Sequence, residues 1–150
     1  MPLPILLLRK RKLRHSLGRP SRSDFVQLEI VGLNDVYALS VVKKEFKKAV
    51  DEPWRDEEPW KRYQKILLQD LAILDAQKEK AIVFEQFELL SGTENLYSIR
   101  HPKTQKNVRV LYTFTERLEV VLLVAFLEKS TSDYQNAVRT ASSRLKWLKS

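Results

Sequence analysis

The chain contains no cysteine, so it can build no disulfide framework, no thiolate metal site and no cysteine nucleophile, and the composition fits a reducing, cytoplasmic setting. Its two histidines, His15 and His101, lie far apart and make a poor ligand set, so neither a metal nor another cofactor is expected. Long apolar runs are missing too. Val120 to Leu127 ends directly at Glu128 and Lys129, well short of the roughly 20 residues that span a bilayer. These absences predict a soluble protein with no membrane partner.

What the chain does have is unevenly placed charge. With 150 residues, 43% of them hydrophobic, it can bury an ordinary core as one compact domain. The net charge is +8. Residues 1–24 carry seven Lys/Arg against one acid, residues 25–96 ten against fourteen, and residues 97–150 ten against four. Two basic ends therefore flank an acidic middle. Clustered cations attract polyanions, nucleic acid above all, although such a run also serves as a plain solvated face.

The first segment, "MPLPILLLRKRKLRHSLGRPSRSD", places its short apolar run ahead of its basic residues, the reverse of a secretory signal. Residues 1–24 read either as a poorly ordered basic tail or as residues ahead of the native start, and residues 25–150 as the domain. "DFVQLEIV" alternates with period two, as a half-buried strand does, and "GLND" supplies a turn. Asn34 is placed to cap a helix running through Val50, with Val36, Leu39, Val42, Phe46 and Ala49 at helical spacing. A second helix is predicted from Pro59 to about Lys80 on the stripe Trp60, Tyr63, Leu67, Leu71, Leu74. "AIVFEQFELL" fits helix and strand equally well.

Beyond "SGTEN" the runs "LYSIRH", "NVRVLYTF" and "EVVLLVAFLEK" suit a three-stranded antiparallel meander. The final stretch predicts a helix capped by Ser132 or Asp133, with Tyr134, Val138, Ala141, Leu145 and Leu148 on one face. The sum is an α+β domain: a mostly antiparallel sheet of about four strands, two helices packed on one face, and a C-terminal helix. The other sheet face should be wetter.

The arginines of the meander carry the functional question. A hairpin through "PKTQK" sets Arg100 opposite Arg109, Ile99 opposite Val110 and Tyr97 opposite Tyr112. Alternation then sends Tyr97, Ile99, Val110 and Tyr112 to the core, and Ser98, Arg100, Arg109 and Thr113 to the open face. Like charges directly opposite cost a few tenths to about 1 kcal/mol, so an anion or a facing carboxylate is expected between them. His101, Lys103 and Lys106 add cations in the loop. Guanidinium groups suit a phosphodiester, yet the same cations also read as solvated, or as paired with Glu94 or Glu116. Lys129 and Tyr134 likewise read as a snorkelling cation and a packing anchor.

The segment from Leu89 to Leu145, with "LYSIR", "RVLY", "VVLLVAFLEK" and "AVRTASSRL", resembles the RelE/HigB superfamily of toxins from bacterial toxin–antitoxin systems, in particular its phage-derived branch. The resemblance implies a RelE-like fold and the ribosome-dependent cleavage of mRNA by attack of a ribose 2′-oxygen on the adjacent phosphate. By motif position it implies that Arg109 contacts the scissile phosphate, that Arg100 and Lys129 belong to the same site, and that Tyr134 stacks on a base. His101, Lys103 and Lys106, from the loop at the same end of the hairpin, are expected to bind the RNA. Implied partners are a cognate antitoxin, with a helix-turn-helix, together with ribosome and mRNA. Glu128 departs from the pattern, standing where some members carry a further cation, and the general base stays open. Two other readings keep the fold without the chemistry: a toxin that binds another target such as DNA gyrase, as the ParE branch does, and a nucleic-acid-binding phage accessory domain.

Overall fold

Val36, Tyr37, Ala38 and Leu39 are buried without alternation, and that pattern marks a strand covered on both faces. They form β3 (Val36–Leu39), third of seven strands among the described residues of the computed structural model. Those residues are 7–10, 25–29, 33–50, 60–93, 95–100 and 106–149. The other strands are β1 (Leu7–Lys10), β2 (Phe25–Glu29), β4 (Phe87–Leu89), β5 (Tyr97–Arg100), β6 (Val108–Phe114) and β7 (Val120–Leu127). Helices α1 (Val42–Ala49) and α2 (Trp60–Gln77) precede β4, and α3 (Thr131–Lys149) follows β7. The sheet order is β1-β2-β3-β7-β6-β5-β4, with β3 parallel to β7 and every other pair antiparallel.

The α+β class and the mostly antiparallel sheet are as expected, whereas the sheet has seven strands rather than about four. The helix expected from Asn34 is also corrected: β3 comes first, and α1 starts only at Val42. The backbone N–H groups of Asn34 and Asp35 donate to the Asp75 carboxylate on α2, at 3.1 and 2.9 Å, so Asn34 starts no helix. Lys78 closes this corner on Asp35 and Asp75 at 3.3 and 3.5 Å. With φ at +52°, Lys78 also ends α2 and opens a 3-10 turn over Lys78–Val83. The ambiguous "AIVFEQFELL" is thus 3-10 helix and turn up to Gln86 and strand only over Phe87–Leu89. Leu7–Lys10, inside the segment assigned to the basic tail, pairs with β2 as an edge strand. Residues 1–6 and 11–24 lie outside the described residues.

One face of the sheet packs on α1 and α2, with Phe46, Tyr63 and Leu67 around Ile99 and Val110. Leu71 and Leu74 are fully buried, each worth about 1.5–3 kcal/mol of transfer free energy. Tyr97 stacks on Tyr112 at 5.3 Å, while Phe87 and Phe114 meet Tyr112 edge-on. The opposite face is not open: α3 lies against β6 and β7, and Ser98, Arg109 and Thr113 are buried rather than wet. The reason is α3 itself, whose Ala137, Ala141 and Leu145 need apolar cover and find it on this side.

β7 carries a bulge at Leu123, since Leu111 pairs with Val124 and Tyr112 with Leu122. Arg144 of α3 donates to the Leu123 carbonyl at 2.6 Å and holds Glu45 of α1 through both guanidinium ends at 3.1 Å. Glu45 also accepts from the Ala125 N–H at 3.2 Å. Paired positions of β3 end at Leu122, so these two side chains take over the ladder where the neighbouring strand stops.

Candidate functional site

The register of β5 and β6 decides which side chains can meet. Tyr97 pairs with Tyr112, Ile99 with Val110 and Arg100 with Arg109, as the alternation predicted. Arg109 therefore sits on the α3 side of the sheet, between Arg100 on β5 and Phe126 on β7. Only 7% of it is exposed. The hairpin loop that carries His101 and Lys103 lies outside the described residues.

Two carboxylates hold the Arg109 guanidinium. Arg109 Nη1 donates to Glu88 Oε1 of β4 at 3.2 Å, with the Ser98 hydroxyl at 3.4 Å. Glu128 Oε1, just past β7, lies 2.8 Å from Arg109 Nε. The Nε–H does not point along that line, so this contact is an ion pair rather than an aligned hydrogen bond. Glu128 is anchored independently: its Oε1 accepts from Asn107 Nδ2 at 2.8 Å, and its N–H donates to the Asn107 carbonyl at 2.9 Å. Its side chain is 19% exposed against 50% for Glu88, so the two partners of Arg109 are unequal. Neither was named from sequence as a partner of Arg109. Glu116, one of the two acids that were, is exposed, and Glu94 lies outside the described residues.

Tyr134 completes the cluster, with the Arg109 guanidinium carbon 5.2 Å from its ring centroid, in cation–π geometry. The start of α3 aims this ring. The Ser130 hydroxyl accepts from the Asp133 N–H at 3.4 Å, and Asp133 Oδ2 accepts from the N–H of Lys129, the residue before the cap, at 3.0 Å. Ser130, rather than Ser132 or Asp133, is thus the capping residue, and Tyr134 N–H donates to its carbonyl at 3.3 Å.

Of the remaining sequence candidates, Lys129 and Lys106 are placed apart from this cluster and Arg100 beside it. Lys129 is exposed and lines a groove of about 560 Å³ between α1 and α3, together with Lys48, Asp133 and Arg144. Lys106 serves the α1–α2 side: its N–H donates to the Tyr63 hydroxyl at 2.8 Å and its Nζ to the Val50 carbonyl at 3.4 Å. These bonds tie the start of β6 to α1 and α2 at the residue read from sequence as an RNA-binding cation. Arg100 is half-buried beside Arg109.

Chemically, the cluster offers a guanidinium, an aromatic face and two carboxylates. The buried tyrosines of the other face are no proton acceptors: burial raises Tyr97 and, much further, Tyr112 above the ordinary phenol value, with smaller contributions from Glu79 on Tyr97 and from Tyr97 and Asp70 on Tyr112. Among the described residues no group of three His, Asp or Glu could hold a metal, and no helix is long and apolar enough to cross a membrane.

A scan against protein-family models finds no match, and neither does a search of the curated proteins. Among solved structures, the chain is similar to a mutant of the E. coli toxin RelE in the free state. The identity is 16%, the match covers 69% of this chain and 93% of that chain, and the TM-score is 0.41. A likeness of that degree assigns neither activity nor site.

Proposed function

We propose that this protein is the toxin of a type II toxin–antitoxin system, a RelE/HigB-like endoribonuclease that cuts mRNA on the ribosome and stops translation. The observation that carries this reading is the convergence of Arg109 from β6, Arg100 from β5 and Tyr134 from α3 at one place on the sheet. These are three of the positions singled out by the motif resemblance, and they lie on separate elements. The guanidinium would neutralise a phosphate as charge grows on it, and the tyrosine ring would stack on a neighbouring base, worth roughly 1–3 kcal/mol. His101, Lys103 and Lys129 would supply further cations for the RNA. A small helix-turn-helix antitoxin would neutralise the toxin, and both would work in the cytoplasm without a cofactor.

Primer extension after induced expression tests the proposal, on a translated message and on the same message without its start codon. Cuts inside the reading frame only when it is translated are expected. Equal cuts in both messages would indicate a ribosome-independent ribonuclease. The two carboxylates on Arg109 support a second reading, in which the ion pairs are purely structural and the domain binds another target such as DNA gyrase. Growth arrest with intact messages and double-strand DNA breaks is its signature.

A further inference from the structure

Transfer of a phosphoryl bond to a ribose 2′-oxygen needs a proton acceptor beside the 2′-hydroxyl as well as a cation on the phosphate. Around Arg109 the two carboxylates differ in a way that separates these tasks. Glu88 belongs to a three-residue edge strand, is half exposed, and meets only the outer Nη1 nitrogen, so an incoming phosphate can displace it. Glu128 is tied to Asn107 through both side chain and backbone, and it keeps its place beside Nε. A phosphate seated on the Nη side of Arg109 would therefore have a fixed carboxylate next to it.

The neighbours supply no better acceptor. Tyr134 presents its ring face to Arg109, Lys129 is exposed over the α1–α3 groove, and Asp133 is engaged in the helix cap. The charged group paired with Glu128 is Arg109 on β6, which also meets Glu88 on β4 and Tyr134 on α3, while Lys129 adjoins Glu128 in sequence and donates its N–H to Asp133 of α3.

Resting on the ribonuclease reading above, we infer that Glu128 is the general base of the cleavage. Glu128 takes the 2′-hydroxyl proton as the O2′–P bond forms, and the P–O5′ bond breaks with the 5′-oxygen protonated by water. The products are a 2′,3′-cyclic phosphate and a 5′-hydroxyl end. Arg109 then has two roles: it holds the phosphate through Nη and balances the charge of the carboxylate through the ion pair at Nε, while Asn107 orients that carboxylate. The acid that departs from the family pattern becomes the residue that completes the site.

The test uses the full chain on ribosomes programmed with message, under single-turnover conditions, across a pH series. Glu128→Gln keeps the acceptor for Asn107 and loses the basic carboxylate. It should cleave at least about a hundredfold more slowly than wild type, the lower end of general-base contributions. Binding to ribosomes carrying a message 2′-O-methylated at the scissile position should be unchanged, and the acidic limb of the wild-type pH–rate profile should vanish. Glu128→Asp should keep part of the rate. If wild type cuts while Glu128→Gln cuts equally well, or faster, the inference is overturned and the ribonuclease reading stands. If wild type binds and cuts nothing, both fall. Should Glu128→Gln fail to fold, Glu128→Asp decides: a folded, slowed enzyme with a displaced acidic limb supports the role, and an unaltered rate overturns it.

Discussion

Arg100 and Arg109 lie directly opposite each other across β5 and β6, and Arg109 is held by Glu88 from β4 and by Glu128 from the exit of β7. The arrangement ties the edge strand β4 and the exit of β7 to the middle of the sheet. It also gives Arg109 a structural role that an open-face arginine would lack.

Arg109→Ala is accordingly expected to have two effects. Removing the buried cation leaves Glu128 beside no compensating charge and should cost about 1–3 kcal/mol, less than a fully buried pair because both acids keep some water. Cleavage on the ribosome should fall by at least about a hundredfold, roughly 2.7 kcal/mol of transition-state stabilisation. Urea unfolding and primer extension measure the two separately. Arg109→Lys should restore part of each, since it keeps the charge and loses the planar fork.

Val110 points to the other face, 2% exposed and opposite Ile99. Val110→Asp should bury an unpaired charge, and the loss of several kcal/mol is enough to abolish a cooperative melting transition. A folded Val110→Asp protein would contradict the register of the hairpin.

Glu45 and Arg144 join α1, α3 and the unpaired part of β7. A double-mutant cycle of Glu45→Ala and Arg144→Ala should give a coupling of about 1–2 kcal/mol by urea denaturation, above that of an exposed pair because each side chain is about three-quarters buried. A coupling near zero would mean that the bond of Arg144 to Leu123 carries the link alone.

The Tyr112 hydroxyl is buried without a hydrogen-bond partner among the described residues. Tyr112→Phe should leave stability at neutral pH within about 0.5 kcal/mol of wild type, or raise it slightly. Burial lifts the titration of Tyr112 above that of the unfolded chain, so the native state keeps its proton while the unfolded state gives it up. Stability should therefore fall as pH rises beyond about 10, the ordinary phenol value. The variant should lose most of that slope and keep the smaller part due to Tyr97, as urea titrations between pH 8 and 11 would show.

Deleting residues 1–24 removes β1, an edge strand of four residues that pairs with β2. The remaining domain should still melt cooperatively, with Tm lower by roughly 3–8 °C for a loss of about 1–2 kcal/mol. Loss of the transition in calorimetry would make the segment part of the core rather than a tail.

The sequence by itself determined the local elements whose signals agree. Alternation in "LYSIR" and "NVRVLYTF", together with a short polar loop, leaves one pairing that buries Tyr97, Ile99, Val110 and Tyr112, and that pairing is observed. The stripe of α2 and the apolar face of α3 were legible for the same reason, because a single period fits each of them. Val36, Leu39, Val42 and Phe46 satisfy the helical period too, but Val36 to Leu39 also form an unbroken apolar run. Only the parallel partner β7 decides for a strand, because a central position in the sheet buries both faces and pairs every backbone group. The site divides in the same way. Its cations and tyrosine could be read from motif positions, whereas the acids that hold Arg109 could not: Glu88 and Glu128 are distant in sequence from each other and from Arg109, and they meet it only after β4, β6 and β7 have taken their places in the sheet.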